Sequence, residues 1–379
     1  MLEILFLLLP LAFYSGWRTA YKKNRSNQTA TTEVSTRLVQ GINFLLNEEP
    51  DKALDVFLEA PSLDAQTAET FLVLGKMFRN RGEVNRALRL HQHLVARPDL
   101  TNNQRQVAML ALGEDFFAAG LLDRAESVFN ELIKTYPKNT AACIPLRRIY
   151  EQLREWEKAF ILTECSVIDK TERIRLMAHY LCEQVEELLA KNQLFQVDEK
   201  LKKALSIYPQ SVRVQTLFAE LALARGERSA ALKYFRQALM YDQRLLSSLV
   251  KRLLTVFTQP IELQQLYEVI NSEYRRNPDV KMLPALTAIA QEVGQGSSLL
   301  PVIHQHLQHE LGNVQTLACS ARYLSSESDT KAALSELSLA LGRLANTLPR
   351  FQCANCGYKL HEYVWRCPAC HHWDSVQSQ

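Results

Sequence analysis

Residues 75–91 read GKMFRNRGEVNRALRLH, and residues 113–129 read GEDFFAAGLLDRAESVF. Both stretches place an aromatic residue three positions after the glycine and an alanine twelve positions after it. Residues 41–57 form a third copy, so the glycines follow one another at 34 and 38 residues. A period of this length is typical of stacked helical pairs, because each pair buries its apolar face only against its neighbours. The spacing therefore predicts an all-α architecture built from helical hairpins.

The register continues beyond these copies with less regular residues. Tyr150 and Ala159 keep it, with Arg147 at the position of the glycine, and it returns at Ala219, Ala231, Phe235 and Ala238. Four prolines fall at or next to the ends of successive units, where a helix has to stop: Pro98, Pro137, Pro209 and Pro278. The pattern resembles the tetratricopeptide repeat. That resemblance implies a superhelical solenoid of about six repeats over residues 34–245, followed by degenerate helical repeats over residues 246–346.

A solenoid of this kind has a groove lined by the first helix of each pair, and protein partners bind there. In the register above, seven side chains are predicted to face the groove: Lys76, Arg79, Glu114, Phe117, Arg148, Glu151 and Glu220. Several of them are equally well explained as solvated surface. The sequence therefore predicts protein partners in the groove without naming a preferred ligand.

The composition excludes several classes of function. Gly and Pro are scarce, with 12 and 13 residues in 379, which favours long helices over many short strands. The formal net charge of +3 is too small for a dedicated nucleic-acid binder. The sequence has no P-loop, no dinucleotide-binding glycine pattern and no nucleophile elbow. We predict that the chain is not an enzyme and binds no nucleic acid.

The start of the chain reads as a membrane anchor. Residues 2–17 (LEILFLLLPLAFYSGW) are apolar apart from Glu3 and Ser15. Extended to Tyr21, the segment is about 30 Å long as a helix, enough to cross the hydrocarbon core. Basic residues follow it rather than precede it, which by the positive-inside rule keeps that flank in the cytoplasm: Arg18, Lys22, Lys23 and Arg25.

We therefore predict a transmembrane helix at residues 1–21 and a linker at residues 22–33, with the bulk of the chain on the cytoplasmic side. Two alternatives stay open. A cleaved signal peptide is disfavoured by the acidic Glu3 and by the lack of an A-x-A cleavage site. A buried helix of a soluble protein is the other.

The eight cysteines divide into two sets. Cys143, Cys165, Cys182 and Cys319 are scattered through helical stretches, as isolated buried thiols are in a reducing compartment. The other four lie in residues 351–373, FQCANCGYKLHEYVWRCPACHHW, as two C-x-x-C pairs ten residues apart. Two thiolates on each of two tight turns complete a tetrahedron around one ion. The predicted metal ligands are Cys353, Cys356, Cys367 and Cys370.

The sequences C-G-Y and C-P-x-C resemble the knuckles of rubredoxins, which implies a small metal-binding domain at residues 349–375. Four sulfur ligands suit iron and zinc alike, so the identity of the metal stays open. Three nearby histidines are expected to be solvated, because the cysteines fill the coordination shell: His361, His371 and His372. Four aromatic residues of this segment are expected to pack against the last helices: Tyr358, Tyr363, Trp365 and Trp373.

Over its whole length, the chain resembles the lipopolysaccharide assembly protein B family of Gram-negative bacteria. The resemblance rests on MLEILFLLLP at the start, on GINFLLN and GKMFRNRGEVNRA in the repeats, and on CGY…WRCPAC at the end. It implies a non-enzymatic, single-pass inner-membrane protein that faces the cytoplasm and binds iron or zinc through the four clustered cysteines. It further implies regulation of lipopolysaccharide synthesis. The family promotes proteolysis of the deacetylase that commits to lipid A, through the membrane protease FtsH, and links synthesis to the lipopolysaccharide export machinery.

Two other classes of function stay open. An electron-transfer protein would use the knuckles as a redox centre, which requires iron and a reversible potential. A peptide-binding co-chaperone would use the groove alone and would tolerate loss of the knuckles. The sequence also leaves open whether the chain forms a homo-oligomer.

Overall fold

The computed structural model describes residues 39–47, 49–59, 65–242, 256–276, 282–299 and 331–378, together with a few isolated positions between residues 249 and 321. The predicted anchor at residues 1–21 and the linker at residues 22–33 lie outside the described residues. No helix in the described part of the chain is both long enough and apolar enough to span a membrane. The chain divides into two compact units, residues 1–169 and residues 170–379.

The first unit is a series of antiparallel helical hairpins. Its helices are α1 (residues 39–46), α2 (Pro50–Leu58), α3 (Ala65–Asn80), α4 (Val84–Ala96), α5 (Asn102–Ala118), α6 (Leu122–Thr135), α7 (Cys143–Leu153) and α8 (Trp156–Cys165). The second unit continues with α9 (Lys170–Ala190), α10 (Leu194–Ile207), α11 (Val212–Ala224), α12 (Arg228–Tyr241), α13 (Pro260–Arg276), α14 (Leu283–Glu292), a 3-10 turn (Gly296–Leu299) and α15 (Lys331–Thr347). The helical hairpins predicted from the glycine and alanine spacing are confirmed.

Local signals in the sequence fix where these helices begin and end. At the start of α5, the Thr101 hydroxyl accepts from the Gln104 amide while the Gln104 side chain accepts from the Thr101 amide, which is a complete capping box. Helices in the described part of the chain end two residues before a proline at Ala96, Thr135, Ile207 and Thr347. A proline has no amide hydrogen and excludes helical geometry from the residue before it, so the helix stops there. The predicted role of Pro98, Pro137 and Pro209 is confirmed, whereas the residue before Pro278 lies outside the described residues.

The repeated glycines allow close packing inside each hairpin. A Cβ atom added at Gly41, Gly75 or Gly113 would overlap the ring sixteen residues later, which belongs to Phe57, His91 or Phe129 respectively. The alanines at the twelfth position, such as Ala87, are fully buried. Glycine on the first helix therefore makes room for the aromatic ring of the second helix of the same hairpin.

Neighbouring hairpins also meet through ion pairs one repeat apart. The Arg86 guanidinium on α4 binds both oxygens of Asp51 on α2, at 2.8 and 2.9 Å, and Arg89 lies 3.5 Å from Asp55. Beneath these pairs lies an apolar core that runs from Ala53 on α2 to Ala108 on α5. In the second unit, a comparable core extends from Ala219 on α11 to Leu299.

The chain ends in a small ribbon of three short antiparallel strands, β1 (Phe351–Cys353), β2 (Lys359–Leu360) and β3 (Val376–Ser378). They are ordered β2-β1-β3, with Gln352 opposite Lys359 on one side and Gln377 on the other. The last strand lies beyond residue 375, where the sequence predicted the domain to end. An edge strand this short, with alternating burial, gives no periodic signal of its own.

Candidate metal centre

Two equivalent turns carry the four clustered cysteines. In the first, the Gly357 amide donates to the Cys353 carbonyl and the Cys353 amide donates to the Tyr358 carbonyl, both at 2.9 Å. In the second, His371 and His372 make the same two bonds with Cys367, again at 2.9 Å. Gly357 has a φ of 74° and His371 a φ of 58°, so both turns close through a left-handed residue. Each turn thus points its two sulfurs to the same side.

The four sulfurs lie within 4.8 Å of one another. Cys353 Sγ is 3.6 Å from Cys370 Sγ, and Cys356 Sγ is 3.7 Å from Cys367 Sγ. A metal–sulfur bond of about 2.3 Å gives a tetrahedron with edges of about 3.8 Å. The sulfurs are therefore spaced for one tetrahedral ion and are too far apart for disulfide bonds. The chemistry and spacing of these donors fit one iron or zinc ion.

Hydrogen bonds favour the ionised form of one cysteine in each turn. The Asn355 side chain and the His372 amide lower the pKa of Cys370 to about 5. At Cys353, burial acts in the opposite direction, but the Ser375 hydroxyl and two backbone amides outweigh it and lower the pKa. Thiolates are the ligand form of cysteine. Each turn therefore offers one sulfur that is ready to bind a cation.

Cys356 behaves differently because it sits among the other sulfurs. The Tyr358 amide favours its ionised form, but burial and the three neighbouring cysteines raise the pKa of Cys356 to about 12. A cluster of thiolates without a cation is opposed by their mutual repulsion. The four cysteines would hold a divalent or trivalent ion, whose charge would offset this repulsion and favour the thiolate form of the remaining thiols.

The ribbon packs on α9 and α11 around one buried arginine. Arg213 on α11 is 2% exposed, and its guanidinium lies 5.6 Å from the ring centre of Trp365 and 5.7 Å from that of Trp373. Its Nη2 atom donates to Glu183 at 2.8 Å and to Glu186 at 2.7 Å, both on α9. A buried cation needs partners of this kind, since desolvation alone would expel it. Arg213 thus joins two helices to the two tryptophans of the ribbon.

His179 on α9 completes the contact. Its Nε2 atom lies 2.7 Å from Asp374 Oδ2, and its Nδ1 atom lies 3.4 Å from Arg213 Nη1. Since arginine can only donate, Nδ1 accepts and Nε2 carries the proton, so the network fits neutral histidine. Burial lowers the pKa of His179, and the nearby Arg213 cation adds to this, although Asp374 opposes both. The imidazole also stacks on Trp373, with ring centres 4.7 Å apart.

The aromatic residues of the ribbon therefore have partners other than those expected from the sequence. The sequence predicted the last helices as the partner of these side chains, whereas the described contacts of Trp365 and Trp373 are with α9 and α11. Tyr363 packs edge-on against Phe351 and Trp365 inside the ribbon. Tyr358 is 48% exposed. Contact with helices more than 130 residues earlier in the chain has no local signature, so adjacency in sequence was a poor guide.

The three histidines near the cysteines are exposed, as predicted: His361, His371 and His372. No pattern in the sequence singles out Arg213, His179 or Asp374. Arginine, histidine and aspartate are common on protein surfaces, and only the fold brings these three side chains together. The nearest signal is the spacing of Trp365 and Trp373 on either side of the second cysteine pair, which marks an apolar face in need of a partner.

The predicted groove residues of the first unit have mixed environments. Lys76 and Arg148 are exposed, and Phe117 is half-buried. Arg79 is held by the next hairpin, since its Nη1 and Nη2 atoms each lie 2.5 Å from a carboxylate oxygen, of Asp115 and Glu114 respectively. Asp115 in turn contacts Nδ1 of the buried His91. The Arg79 cation is therefore a fixed part of the packing between hairpins.

Glu151 does not lie on an open groove surface, so its predicted placement was wrong. Its side chain is only 5% exposed, and its Oε1 atom lies 3.9 Å from Arg147 Nε one helical turn earlier. Arg147 occupies the position of the repeated glycine and is itself buried. A buried guanidinium needs a nearby carboxylate, and Glu151 supplies it. Glu220 on α11 is half-buried.

Comparison with known proteins agrees with the geometry of the ribbon. The family model described as "Rubredoxin metal binding domain" matches residues 351–378. Together with the sulfur positions, the match identifies the four clustered cysteines as a rubredoxin-like metal-binding site. Among solved structures, MamA of Desulfovibrio magneticus RS-1 is similar over 48% of this chain and 98% of its own, with 15% identity and a TM-score of 0.33. That likeness is too distant to add to the description of the fold.

Curated relatives match from end to end. Lipopolysaccharide assembly protein B of Escherichia coli (strain K12) is 31% identical over 392 residues, covering 100% of this chain and 98% of the relative. The protein of the same name from Haemophilus influenzae is 30% identical over 395 residues, with the same coverage. The chain therefore belongs to the lipopolysaccharide assembly protein B family.

Proposed function

We propose that the chain is a non-enzymatic adaptor in lipopolysaccharide assembly, anchored in the inner membrane by residues 1–21 with its bulk on the cytoplasmic side. In this proposal the hairpins bind protein partners, and the metal-bound ribbon is a fixed part of the binding unit. The observation that carries the proposal is the packing of the ribbon on α9 and α11 around Arg213. A metal centre built into a protein surface in this way serves to shape that surface.

The chemistry of the site supports a structural use of the metal. Four cysteines fill a tetrahedral shell and leave no position for a substrate, as is usual in structural sites. The core cluster inside the ribbon has only four buried residues, two of which are cysteines: Phe351, Cys353, Cys367 and Val376. Such a small core needs the ion to fold. The metal then holds Trp365 and Trp373 in place against Arg213.

The partner surface is proposed on the first helices of the hairpins in the first unit. Lys76 on α3 and Arg148 on α7 are exposed there, and Phe117 on α5 is half-buried. By family membership, the partners are the membrane protease FtsH and the deacetylase that commits to lipid A, together with the export machinery. The adaptor would promote proteolysis of the deacetylase and so limit synthesis to the rate of export.

The proposal is tested in a strain of the source bacterium that lacks the chain and carries the wild type, Cys356→Ser or Gln377→Ala. Gln377 is an exposed side chain of the ribbon and serves as the control. The wild type and the control are expected to shorten the half-life of the deacetylase in an FtsH-dependent way and to restore normal lipopolysaccharide levels. Cys356→Ser is expected to fail. The proposal is contradicted if the half-life of the deacetylase is the same with and without the chain. It is also contradicted if a metal-free variant fully restores lipopolysaccharide levels.

A further inference from the structure

The four sulfurs of the metal site do not have equal surroundings. Ser375 Oγ lies 3.3 Å from Cys353 Sγ, and the side chain of Asn355 hydrogen-bonds Cys370 Sγ. Within the described ribbon, Cys356 and Cys367 have no such side-chain donors: the Tyr358 amide bonds Cys356 Sγ, and the two sulfurs lie 3.7 Å apart. The two sulfurs with side-chain donors, Cys353 and Cys370, are also neighbours, at 3.6 Å. One edge of the tetrahedron is thus supported by side chains and the opposite edge is not.

Ser375 is held in place by both turns. Its carbonyl accepts from the Ala354 amide at 2.7 Å, and its hydroxyl reaches the His372 carbonyl at 3.1 Å. When a metal binds, Cys353 has no proton left to donate, so the single proton of the hydroxyl is free to turn to the sulfur. The His372 carbonyl keeps a partner, because it also accepts from the Cys367 amide at 2.9 Å. The exchange therefore leaves no buried acceptor unsatisfied.

Asn355 links the two turns from the other side. It lies between the cysteines of the first turn, and its Nδ2 atom is 3.1 Å from His372 Nδ1 in the second. A side-chain amide has two hydrogens, so Asn355 can donate to His372 and to Cys370 at once. Cys370 is half-buried, whereas Cys356 is exposed.

We propose that Asn355 and Ser375 are positioning residues of the metal centre, which donate hydrogen bonds to the thiolates of Cys370 and Cys353 and thereby retain the ion. Partners of metal ligands fix the orientation of those ligands, and losing one such partner typically costs tenfold or more in metal affinity. Hydrogen bonds to the sulfurs also raise the reduction potential of an iron centre, because they stabilise the more negative reduced state. The proposal rests on the metal site and is independent of the role in lipopolysaccharide assembly.

The test uses the full chain in detergent, loaded with zinc or with iron. The variants are Asn355→Ala and Ser375→Ala, with Ser375→Thr retaining the hydroxyl and Gln377→Ala as a control on the same final segment. Two quantities are measured: the rate of zinc transfer to a chromophoric chelator, and the reduction potential of the iron form, followed through its sulfur-to-iron charge-transfer absorption.

Each alanine variant is expected to lose zinc about tenfold faster than the wild type and to have a lower iron potential. Ser375→Thr and Gln377→Ala are expected to match the wild type in both quantities. Wild-type behaviour of both alanine variants overturns the proposal, and so does equal loss in Ser375→Thr or Gln377→Ala, since the donors would then not be the cause. A wild-type chain that binds neither metal overturns the metal site as well.

Discussion

The hairpins of the first unit and the terminal ribbon bury their side chains in different ways. From α2 to α5, a continuous apolar core of fully buried alanines, leucines and phenylalanines is repeated from hairpin to hairpin. The core cluster inside the ribbon has four buried residues, and the two tryptophans of the ribbon face Arg213 and His179 on α11 and α9. The hairpins are thus stabilised by neighbours of the same kind. The ribbon has a metal-binding site on one side and a helix surface on the other.

This difference predicts that replacing one metal ligand has a larger effect on folding than replacing any residue of the hairpins. Cys356→Ser leaves three thiolates, and structural metal sites contribute about 10 kcal/mol to folding. We expect loss of the ion and unfolding of residues 351–378, while the helices keep their structure. Elemental analysis, tryptophan fluorescence and far-ultraviolet circular dichroism measure the three effects. Equal metal content in the wild type and the variant would show that Cys356 is not a ligand.

The second expected effect separates the helix surface from the ion. Arg213→Ala removes the cation between Trp365 and Trp373 and leaves Glu183 and Glu186 without their partner. We expect the free energy of unfolding of the second unit to fall by about 2–4 kcal/mol, since the pair is buried on the arginine side. Denaturant unfolding measures it.

The matched control for this prediction is Arg228→Ala. Arg228 binds Glu262 from a partly exposed position on α12, and solvent screening weakens such pairs. Equal losses in the two variants would mean that burial against the ribbon adds nothing to the Arg213 contacts.

Much of the structure of the hairpins could be predicted from the sequence, and less of the structure of the ribbon. The glycine, alanine and proline positions act over one repeat, so the hairpins and their ends follow from spacing alone. The C-x-x-C pairs are likewise local, and they gave the metal ligands. The ribbon contact depends on Arg213 and Asp374, which are 161 positions apart in the sequence. No periodicity links them, and Glu151 shows that even a repeat register fails where Arg147 replaces glycine.

The third expected effect tests the close packing inside a hairpin. In an exposed helix, Gly→Ala gains about 1 kcal/mol because alanine has the better helix propensity. At Gly113 the added methyl group would overlap the ring of Phe129, and overpacking costs about 1–3 kcal/mol. We therefore expect Gly113→Ala to destabilise the first unit in thermal unfolding, and to do so less when combined with Phe129→Leu. A stabilised Gly113→Ala chain would contradict the packing.

The smallest expected effect is a pH dependence of the ribbon contact. Burial lowers the pKa of His179 in the folded chain, whereas the unfolded value is about 6.5. Below that pH the unfolded state binds a proton that the folded state does not, so stability falls as pH falls, by up to about 1.4 kcal/mol per unit. The groups that face this histidine are Asp374, Arg213 and Glu183. We expect His179→Gln to flatten the plot of unfolding free energy against pH between about pH 5 and 6.5. Identical plots for the wild type and the variant would rule out a contribution of His179 to the pH dependence.

The most direct test of the account is amide hydrogen exchange of the full chain with and without a strong metal chelator. The central claim is that the ion holds the ribbon, and through it the faces of α9 and α11. Metal removal is expected to abolish protection in residues 351–378 and to reduce it around His179 and Arg213, while residues 84–135 stay as protected as before. If the ribbon loses protection and α9 and α11 do not change, or if all helices lose it together, the claim is contradicted.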